Sequence, residues 1–255
     1  MPLLEVTGLK KRFGGLQAVD DVTFSVGEGT IKSVIGPNGA GKTTLFNLIS
    51  GVIPPDGGRV TYENRELSGK RPHQVAARGV ARTFQHIQLF PQMSVLENVL
   101  VGRHLHTRAG FIAGMLNLPW SRRETENALA RCLEIMELLE ISGLAESEAT
   151  SLAYGQQRVV EVARALACEP GLLLLDEPAA GLNMRETADM AGLITRIRDM
   201  GITVLIVEHD MALVMDISDE ILVLSYGKKI AEDVPREIQK NSEVIRIYLG
   251  EEDDA

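Results

Sequence analysis

A glycine-rich segment gives the first indication of chemistry. It matches the pattern G-x-x-x-x-G-K-S/T, follows the apolar run Ile31–Ile35 and precedes a helical pattern that stops at Gly51. Glycines let backbone amides turn toward phosphate oxygens, and a helix N-terminus adds a favourable dipole. The Lys42 ammonium could bind the β- and γ-phosphates of a nucleotide, and the Thr43 hydroxyl could bind Mg²⁺. The candidate nucleotide ligands are Gly36, Pro37, Asn38, Gly39, Ala40, Gly41, Lys42, Thr43 and Thr44.

Two carboxylates follow a second apolar run. Residues 172–175 predict a buried strand, and Asp176 and Glu177 come directly after it. Ligands of open α/β sheets bind at this end of the strands. We therefore expect Asp176 to hold Mg²⁺ through water and Glu177 to act as general base for an attacking water.

A histidine follows a third apolar run. Thr203–Val207 predicts another buried strand, and His209 lies just beyond it. A lone histidine is more often a surface residue, but this one is expected at the same sheet edge as Asp176 and Glu177. It could hydrogen-bond the γ-phosphate and the water.

The elements that must position these residues form an α/β fold. The apolar runs, together with residues 221–224, predict parallel strands covered on both faces, in a doubly wound sheet. Residues 12–20 and 60–66 indicate an N-terminal antiparallel part. Helical patterns dominate residues 85–164, between the first and second apolar runs. We therefore predict a core of residues 1–84 and 165–255, an inserted helical subdomain of residues 85–164 and an acidic tail, residues 251–255.

Local signals support the helical subdomain. Ser94 with Glu97, and Ser121 with Glu124, match capping boxes. One predicted helix face carries Leu129, Cys132, Leu133, Met136 and Leu139.

Composition excludes several classes of protein. The 255 residues are 45% hydrophobic and 24% charged, which excludes disorder, and no apolar run approaches the roughly 18 residues that span a bilayer. The N-terminus lacks the features of a secretory signal, so we expect the chain to stay where it is made. A net charge of -9 argues against broad binding to nucleic acid or anionic lipid. Cys132 and Cys168 are expected to be reduced core thiols.

Along essentially its whole length, the chain resembles the ATP-binding cassette (ABC) ATPases. Residues 151–158, Ser-Leu-Ala-Tyr-Gly-Gln-Gln-Arg, are similar to the family signature L-S-G-G-Q. Arg82-Thr83-Phe84-Gln85 is similar to the Q-loop, residues 179–183 to the D-loop, and Arg12-Phe13-Gly14-Gly15 to the segment with the adenine-stacking aromatic. Leu-Ala-Tyr-Gly and Val-Glu-His-Asp-Met look like the ATPase subunits of branched-chain amino acid importers. The implied core is a P-loop NTPase (RecA-like) sheet.

The resemblance implies a role for each matching residue. Phe13 stacks on adenine, while Lys42, Gln85, Glu177 and His209 are catalytic, and Thr43, Gln85 and Asp176 hold Mg²⁺. In a head-to-tail dimer, the nucleotide of one subunit meets the signature of the other, here Leu152, Ala153, Tyr154, Gly155 and Gln156. ATP joins the two subunits, and hydrolysis lets them open. Two residues depart from the family pattern: Ala153 replaces the signature serine, and Asn183 stands where the D-loop aspartate is common.

The implied function is that of an importer ATPase. It would use ATP and Mg²⁺ to drive uptake of branched-chain amino acids or a related small solute. Its partners would be a second ABC subunit, identical or paralogous, transmembrane permease subunits and, indirectly, a solute-binding protein, but no nucleic acid. The chain would be peripheral, at the cytoplasmic face of the cell membrane. The alternatives are a soluble ABC-type ATPase in regulation or cluster assembly and, disfavoured by the charge, one in DNA repair. Residues 105–120, rich in large apolar side chains, either pack on the helical subdomain or meet the membrane partner.

Overall fold

The computed structural model describes residues 2–106 and 119–249, except for the side chains of residues 119–122 and 249. The chain forms two compact units. One comprises the chain up to Arg82 and from Gly171 onward, and the other is Thr83–Pro170. Most of the apolar segment 105–120 and the acidic tail 251–255 lie outside the described residues.

The first unit contains two sheets. The strands are β1 (Pro2–Phe13), β2 (Leu16–Gly27), β3 (Ile31–Ile35), β4 (Gly57–Tyr62), β5 (Arg65–Glu66), β6 (Val80–Arg82), β7 (Leu172–Asp176), β8 (Thr203–Val207), β9 (Glu220–Ser225) and β10 (Lys228–Asp233). An antiparallel sheet has the order β2-β1-β4-β5, and a six-stranded sheet has the order β10-β9-β3-β8-β7-β6. In the larger sheet all pairs are parallel except β9 with β10. The predicted α/β fold with an antiparallel N-terminal part is confirmed.

Helices cover the first unit and build the second. The first unit has α1 (Lys42–Ile49) and α2 (Pro72–Ala76); the second has α3 (Val95–Gly102), α4 (Pro119–Leu138) and α5 (Tyr154–Leu166). After the return to the first unit come α6 (Met184–Asp199), α7 (Met211–Ile217), α8 (Pro235–Ile238) and α9 (Ser242–Leu249). Every residue of β3, β7 and β8 is buried, as expected for central parallel strands, and the core joins α1 to both sheets. Among the described residues, no helix is both long and apolar enough to cross a membrane.

Two local predictions in the second unit are wrong and one is confirmed. Ser94 caps α3, because its Oγ accepts the amide of Glu97 and the Glu97 carboxylate accepts the amide of Ser94. Ser121 does not cap α4, since that helix already begins at Pro119, a residue type that favours the first helical position. Cys132 and Met136 on α4, and Leu139 directly after it, are buried, but Leu133 on α4 is exposed. The buried stripe runs through Ile135 instead.

Candidate nucleotide site

The glycine-rich loop connects β3 to α1 in the first unit. Gly36 has φ +148°, and a Cβ there would lie 2.1 Å from the carbonyl oxygen of Leu224. Gly41 has φ +100°, and a Cβ there would lie 2.4 Å from the carbonyl oxygen of Ala18. Both the backbone conformation and the close approach exclude side chains, so the pattern requires glycine at both positions.

Helix α1 begins at Lys42, so its N-terminus opens onto this loop. No acidic residue lies in its first turn. The first amides of a helix lack intrahelical partners and, with the helix dipole, favour an anion. Lys42 is buried, and its Nζ donates to the carbonyl oxygens of Gly36 (2.5 Å) and Pro37 (3.0 Å). These residues fit a polyphosphate, because the amides, the dipole and the ammonium lie in one short loop.

Asp176, at the end of β7, is held by a residue that the sequence argument left without a role. The Arg82 guanidinium donates to Asp176 Oδ2 (2.8 Å), and also to Asn47 Oδ1 and Ser50 Oγ on the α1 side (2.8 Å each). Both members of the ion pair are buried. The contact joins strands far apart in the chain, so no local sequence signal identifies it.

The oxygen donors suit a hard cation such as Mg²⁺. Carboxylate and hydroxyl oxygens are ligands that Mg²⁺ takes, and water and substrate phosphates commonly complete its shell. Within the described ranges no group of three or more His, Cys, Asp or Glu side chains forms a metal site. Thr43 and Asp176 carry the hydroxyl and carboxylate donor types that such a cation takes.

Glu177 and His209 lie together at the same sheet edge. Glu177 has φ +48°, in the left-handed region, and its amide donates to the carbonyl oxygen of Val207 (2.9 Å). Its Oε2 lies 3.9 Å from Nδ1 of His209, whose side chain is largely exposed. The structure thus places this carboxylate and imidazole at the same sheet edge, as the sequence predicted.

Glu208 is a second residue that sequence reasoning missed. Its carboxylate is completely buried between the segment after β7 and the segment after β8. Oε1 accepts the amide of Ala179 (2.8 Å), and Oε2 accepts the amides of His209 (3.0 Å) and Asp210 (3.4 Å). Burial raises the pKa of this carboxyl, and the backbone amides act in the opposite direction.

Phe13 ends β1 with its ring about half exposed. The Lys11 ammonium lies 5.6 Å from the ring centre and donates to Pro54 O and Asp56 Oδ1 (2.8 Å each). Asp56 also accepts the amide of Arg12 (2.7 Å), and these two bonds hold the pKa of the Asp56 carboxyl below its ordinary value. The chain around Phe13 is thereby fixed, while the ring stays available for stacking.

The signature residues and Gln85 lie in the second unit. Helix α5 begins at Tyr154, and Ala153 occupies the N-cap position, where it has no side-chain acceptor. Gln156 Oε1 accepts the amide of Ala153 (3.3 Å). Tyr154 stands where the signature pattern has its first glycine, and its hydroxyl accepts a bond from Arg158 Nη2 (3.2 Å).

Arg158 is a third functional candidate that the sequence did not reveal. It is buried and donates to the carbonyl oxygens of Phe84 (2.9 Å) and Gln85 (2.5 Å) and to Glu161 (3.2 Å). Glu161 in turn accepts the amide of Phe84 (3.4 Å), and burial raises the pKa of its carboxyl. The backbone of Gln85 is therefore attached to the signature helix by the buried side chain of Arg158, 73 positions further along the chain.

Comparisons with known proteins agree with this geometry. Residues 19–180 match the family model described as ABC transporter, which covers the glycine-rich loop and extends past Glu177. The chain belongs to the ABC transporter family. Residues 228–254 match a second model, described as branched-chain amino acid ATP-binding cassette transporter. The fold and the membership in the ABC ATPases, expected from the motifs, are confirmed.

Relatives and solved ABC cassettes cover nearly the whole chain. It is 46% identical to the high-affinity branched-chain amino acid transport ATP-binding protein BraF of Pseudomonas aeruginosa, with 98% of each chain covered. It is 47% identical to the corresponding protein LivG of Salmonella typhimurium, over the same shares. An ABC cassette solved in its ADP conformation superposes with a TM-score of 0.85 at 34% identity, covering 98% of this chain and 99% of that one. A dimeric bacterial ABC transporter cassette gives a TM-score of 0.76 at 26% identity, with 91% and 99% covered.

Proposed function

We propose that this chain is the ATPase subunit of an importer for branched-chain amino acids or a related small solute. The observation that carries the proposal is full-length identity of 46% and 47% to proteins named for high-affinity branched-chain amino acid transport. The C-terminal match at residues 228–254 supports the same substrate class. The chain would work as a pair of cassettes, identical or paralogous, docked on permease subunits at the cytoplasmic face of the membrane.

The nucleotide would be bound by the loop Gly36–Thr44, with Lys42 turning from Gly36 and Pro37 toward its phosphates. Phe13 would stack on the adenine. Thr43, Asp176 and Gln85 would hold Mg²⁺, which supplies neutralisation of the phosphate charge when bound. The Glu177 carboxylate would orient the attacking water and take its proton, and His209 would hydrogen-bond the γ-phosphate. The signature residues Leu152, Ala153, Tyr154, Gly155 and Gln156 would meet the nucleotide of the partner cassette.

The catalytic assignment is tested by trapping. Glu177→Gln keeps the shape of the side chain but removes the base, so we expect purified E177Q to retain ATP and to dimerise more tightly than wild type. The matched control is Lys42→Ala in the E177Q background, which should lose both ATP retention and dimerisation. Light scattering and nucleotide content report the two quantities. An E177Q protein that turns over ATP at the wild-type rate would contradict the role of Glu177.

The transport assignment is tested separately by co-purification. The tagged chain should bring down permease subunits from membranes, and these should bind or transport leucine, isoleucine or valine. Identification of the associated proteins by mass spectrometry decides partner and location together. Association with cluster-assembly proteins, and no membrane protein, would overturn the importer assignment while leaving the ATPase assignment intact.

A further inference from the structure

Two neighbouring cross-links hold the Glu177 segment against the His209 segment. The first is the bond from the Glu177 amide to the carbonyl oxygen of Val207 (2.9 Å). The second is the bond from the Ala179 amide to Glu208 Oε1 (2.8 Å). The first joins two backbones and is available to any residue type, whereas the second depends on one side chain.

The Glu208 carboxylate divides its two oxygens between the two segments. Oε1 faces Ala179, at the start of the D-loop, while Oε2 accepts the amides of His209 and Asp210 and lies 3.8 Å from His209 Nδ1. An ionised carboxylate has two acceptor oxygens, but an amide has only one, so no neutral isostere can satisfy both segments.

Burial of this carboxylate works against folding stability. The side chain has no exposed surface, and burial raises its pKa. A fully buried carboxylate costs free energy unless it is well paired, and an apolar residue of similar size is often equally stable. A residue that costs stability at a site edge is typical of a functional requirement.

We propose that Glu208 is a positioning residue that sets the distance between Glu177 and His209 and attaches the D-loop to His209. The inference rests on the proposed roles of Glu177 and His209 in hydrolysis. Glu208 does not touch the reacting atoms. It accepts the backbone amide of His209 and so positions the imidazole of that residue. Because the same carboxylate accepts the amide of Ala179, a displacement of the D-loop at Ala179 would be transmitted to His209.

The test uses Glu208→Gln in the full-length chain, with steady-state MgATP hydrolysis and fluorescent-ATP binding as readouts. The amide of Glu208→Gln has one acceptor oxygen and can satisfy only one segment. Misplacement of a catalytic group by about 1 Å can cost on the order of 100-fold. We expect kcat to fall by about 10- to 100-fold while KM stays within about twofold. Asp210→Asn is the matched control, because it removes the same charge next to His209 without touching Ala179. It should keep kcat within about twofold of wild type.

A double-mutant cycle separates positioning from general loosening. If Glu208 acts through His209, Glu208→Gln combined with His209→Ala should be no more than about twofold slower than His209→Ala alone. The thermal midpoint of Glu208→Gln should stay within about 4 °C of wild type. The proposal would be overturned if the kcat reductions of Glu208→Gln and His209→Ala multiplied in the double variant. It would also be overturned if Glu208→Gln kept the wild-type kcat, or if Asp210→Asn lost as much kcat as Glu208→Gln. A wild-type kcat in His209→Ala would instead contradict the role of His209 in the proposed function, and the inference with it.

Discussion

The Arg82 guanidinium and the Asp176 carboxylate form a buried ion pair, with Nη2 and Oδ2 2.8 Å apart. Arg82 also contacts Asn47 and Ser50, and its guanidinium lies 5.7 Å from the ring centre of Phe46. One side chain therefore fixes the proposed Mg²⁺ ligand relative to the helix that follows the glycine-rich loop.

Loss of this ion pair should be costly. Arg82→Gln removes the guanidinium from a buried ion pair, so we expect the free energy of unfolding to fall by about 3 to 5 kcal/mol. The control is Lys240→Ala, which breaks the exposed pair of Lys240 with Glu237 and should cost less than about 1 kcal/mol. Urea denaturation of both variants measures the difference. Equal losses would show that the buried ion pair of Arg82 with Asp176 contributes no more to stability than an exposed pair.

Phe13 should govern nucleotide affinity more than turnover. Removal of a ring that stacks on a base costs about 1 to 3 kcal/mol, so Phe13→Ala should raise the Kd for ATP by roughly 5- to 160-fold. Phe13→Tyr should keep the affinity. Leu16→Ala, which removes another exposed apolar side chain paired with Phe13 across the β1–β2 ladder, is the control and should leave Kd unchanged. Calorimetric titration would contradict the assignment if both alanine variants bound ATP equally well.

Asn183 and Ala153, which both depart from the family pattern, occupy N-cap positions, and their substitution should have opposite effects on stability. Asn183 caps α6, because its Oδ1 accepts the amides of Arg185 (3.0 Å) and Glu186 (3.1 Å). Ala153 occupies the same position on α5 without an acceptor. Asn183→Ala should therefore lower, and Ala153→Ser raise, the free energy of unfolding by about 0.5 to 2 kcal/mol each. Chemical denaturation checks both signs, and a destabilised Ala153→Ser variant would contradict the capping argument.

Two glycines in helices should respond differently to the same added methyl group. At Gly102 on α3 a Cβ would lie 2.2 Å from the carbonyl oxygen of Arg164, on α5. Gly102→Ala should therefore cost about 1 to 3 kcal/mol through overpacking. At Gly192, exposed on α6, a Cβ meets nothing within 4 Å, so Gly192→Ala should stabilise by about 0.4 to 1 kcal/mol. Denaturant midpoints that shift in the same direction for both would refute the close packing of α3 on α5.

The Cys132 thiol should resist alkylation in the folded protein. Burial raises its pKa to about 11, and only the thiolate reacts, so at pH 8 its reactive fraction is on the order of one in a thousand. We expect iodoacetamide to label Cys132 at least about 100-fold faster in urea than in buffer, and the native rate to rise with pH up to about 11. Peptide mass spectrometry reports Cys168 alongside as the less buried comparison. Equal native and denatured rates at Cys132 would contradict its burial.

Much of the fold was predictable because its signals are local. Ile31–Ile35 and Thr203–Val207 read as buried parallel strands since both faces are covered, and the glycine spacing of the loop follows from positive φ at Gly36 and Gly41. The start of α4 was not predictable, because Pro119 and Ser121 are both acceptable helix openings and the sequence does not rank them. The exposure of Leu133 likewise depends on which neighbours α4 meets.

The sequence by itself determined which groups are proposed for the chemistry of this protein: the phosphate loop, the carboxylates after residue 175, His209 and the signature segment, each defined by residue type and short spacing. Only the tertiary structure decided their partners. Arg82 on β6 pairs with Asp176 on the neighbouring strand β7. Arg158 bonds to the backbone of Gln85, and Glu208 bonds to the amide of Ala179. These contacts join residues 29 to 94 positions apart. Buried charges bond wherever the fold supplies a partner, and spacing along the chain carries no record of that choice.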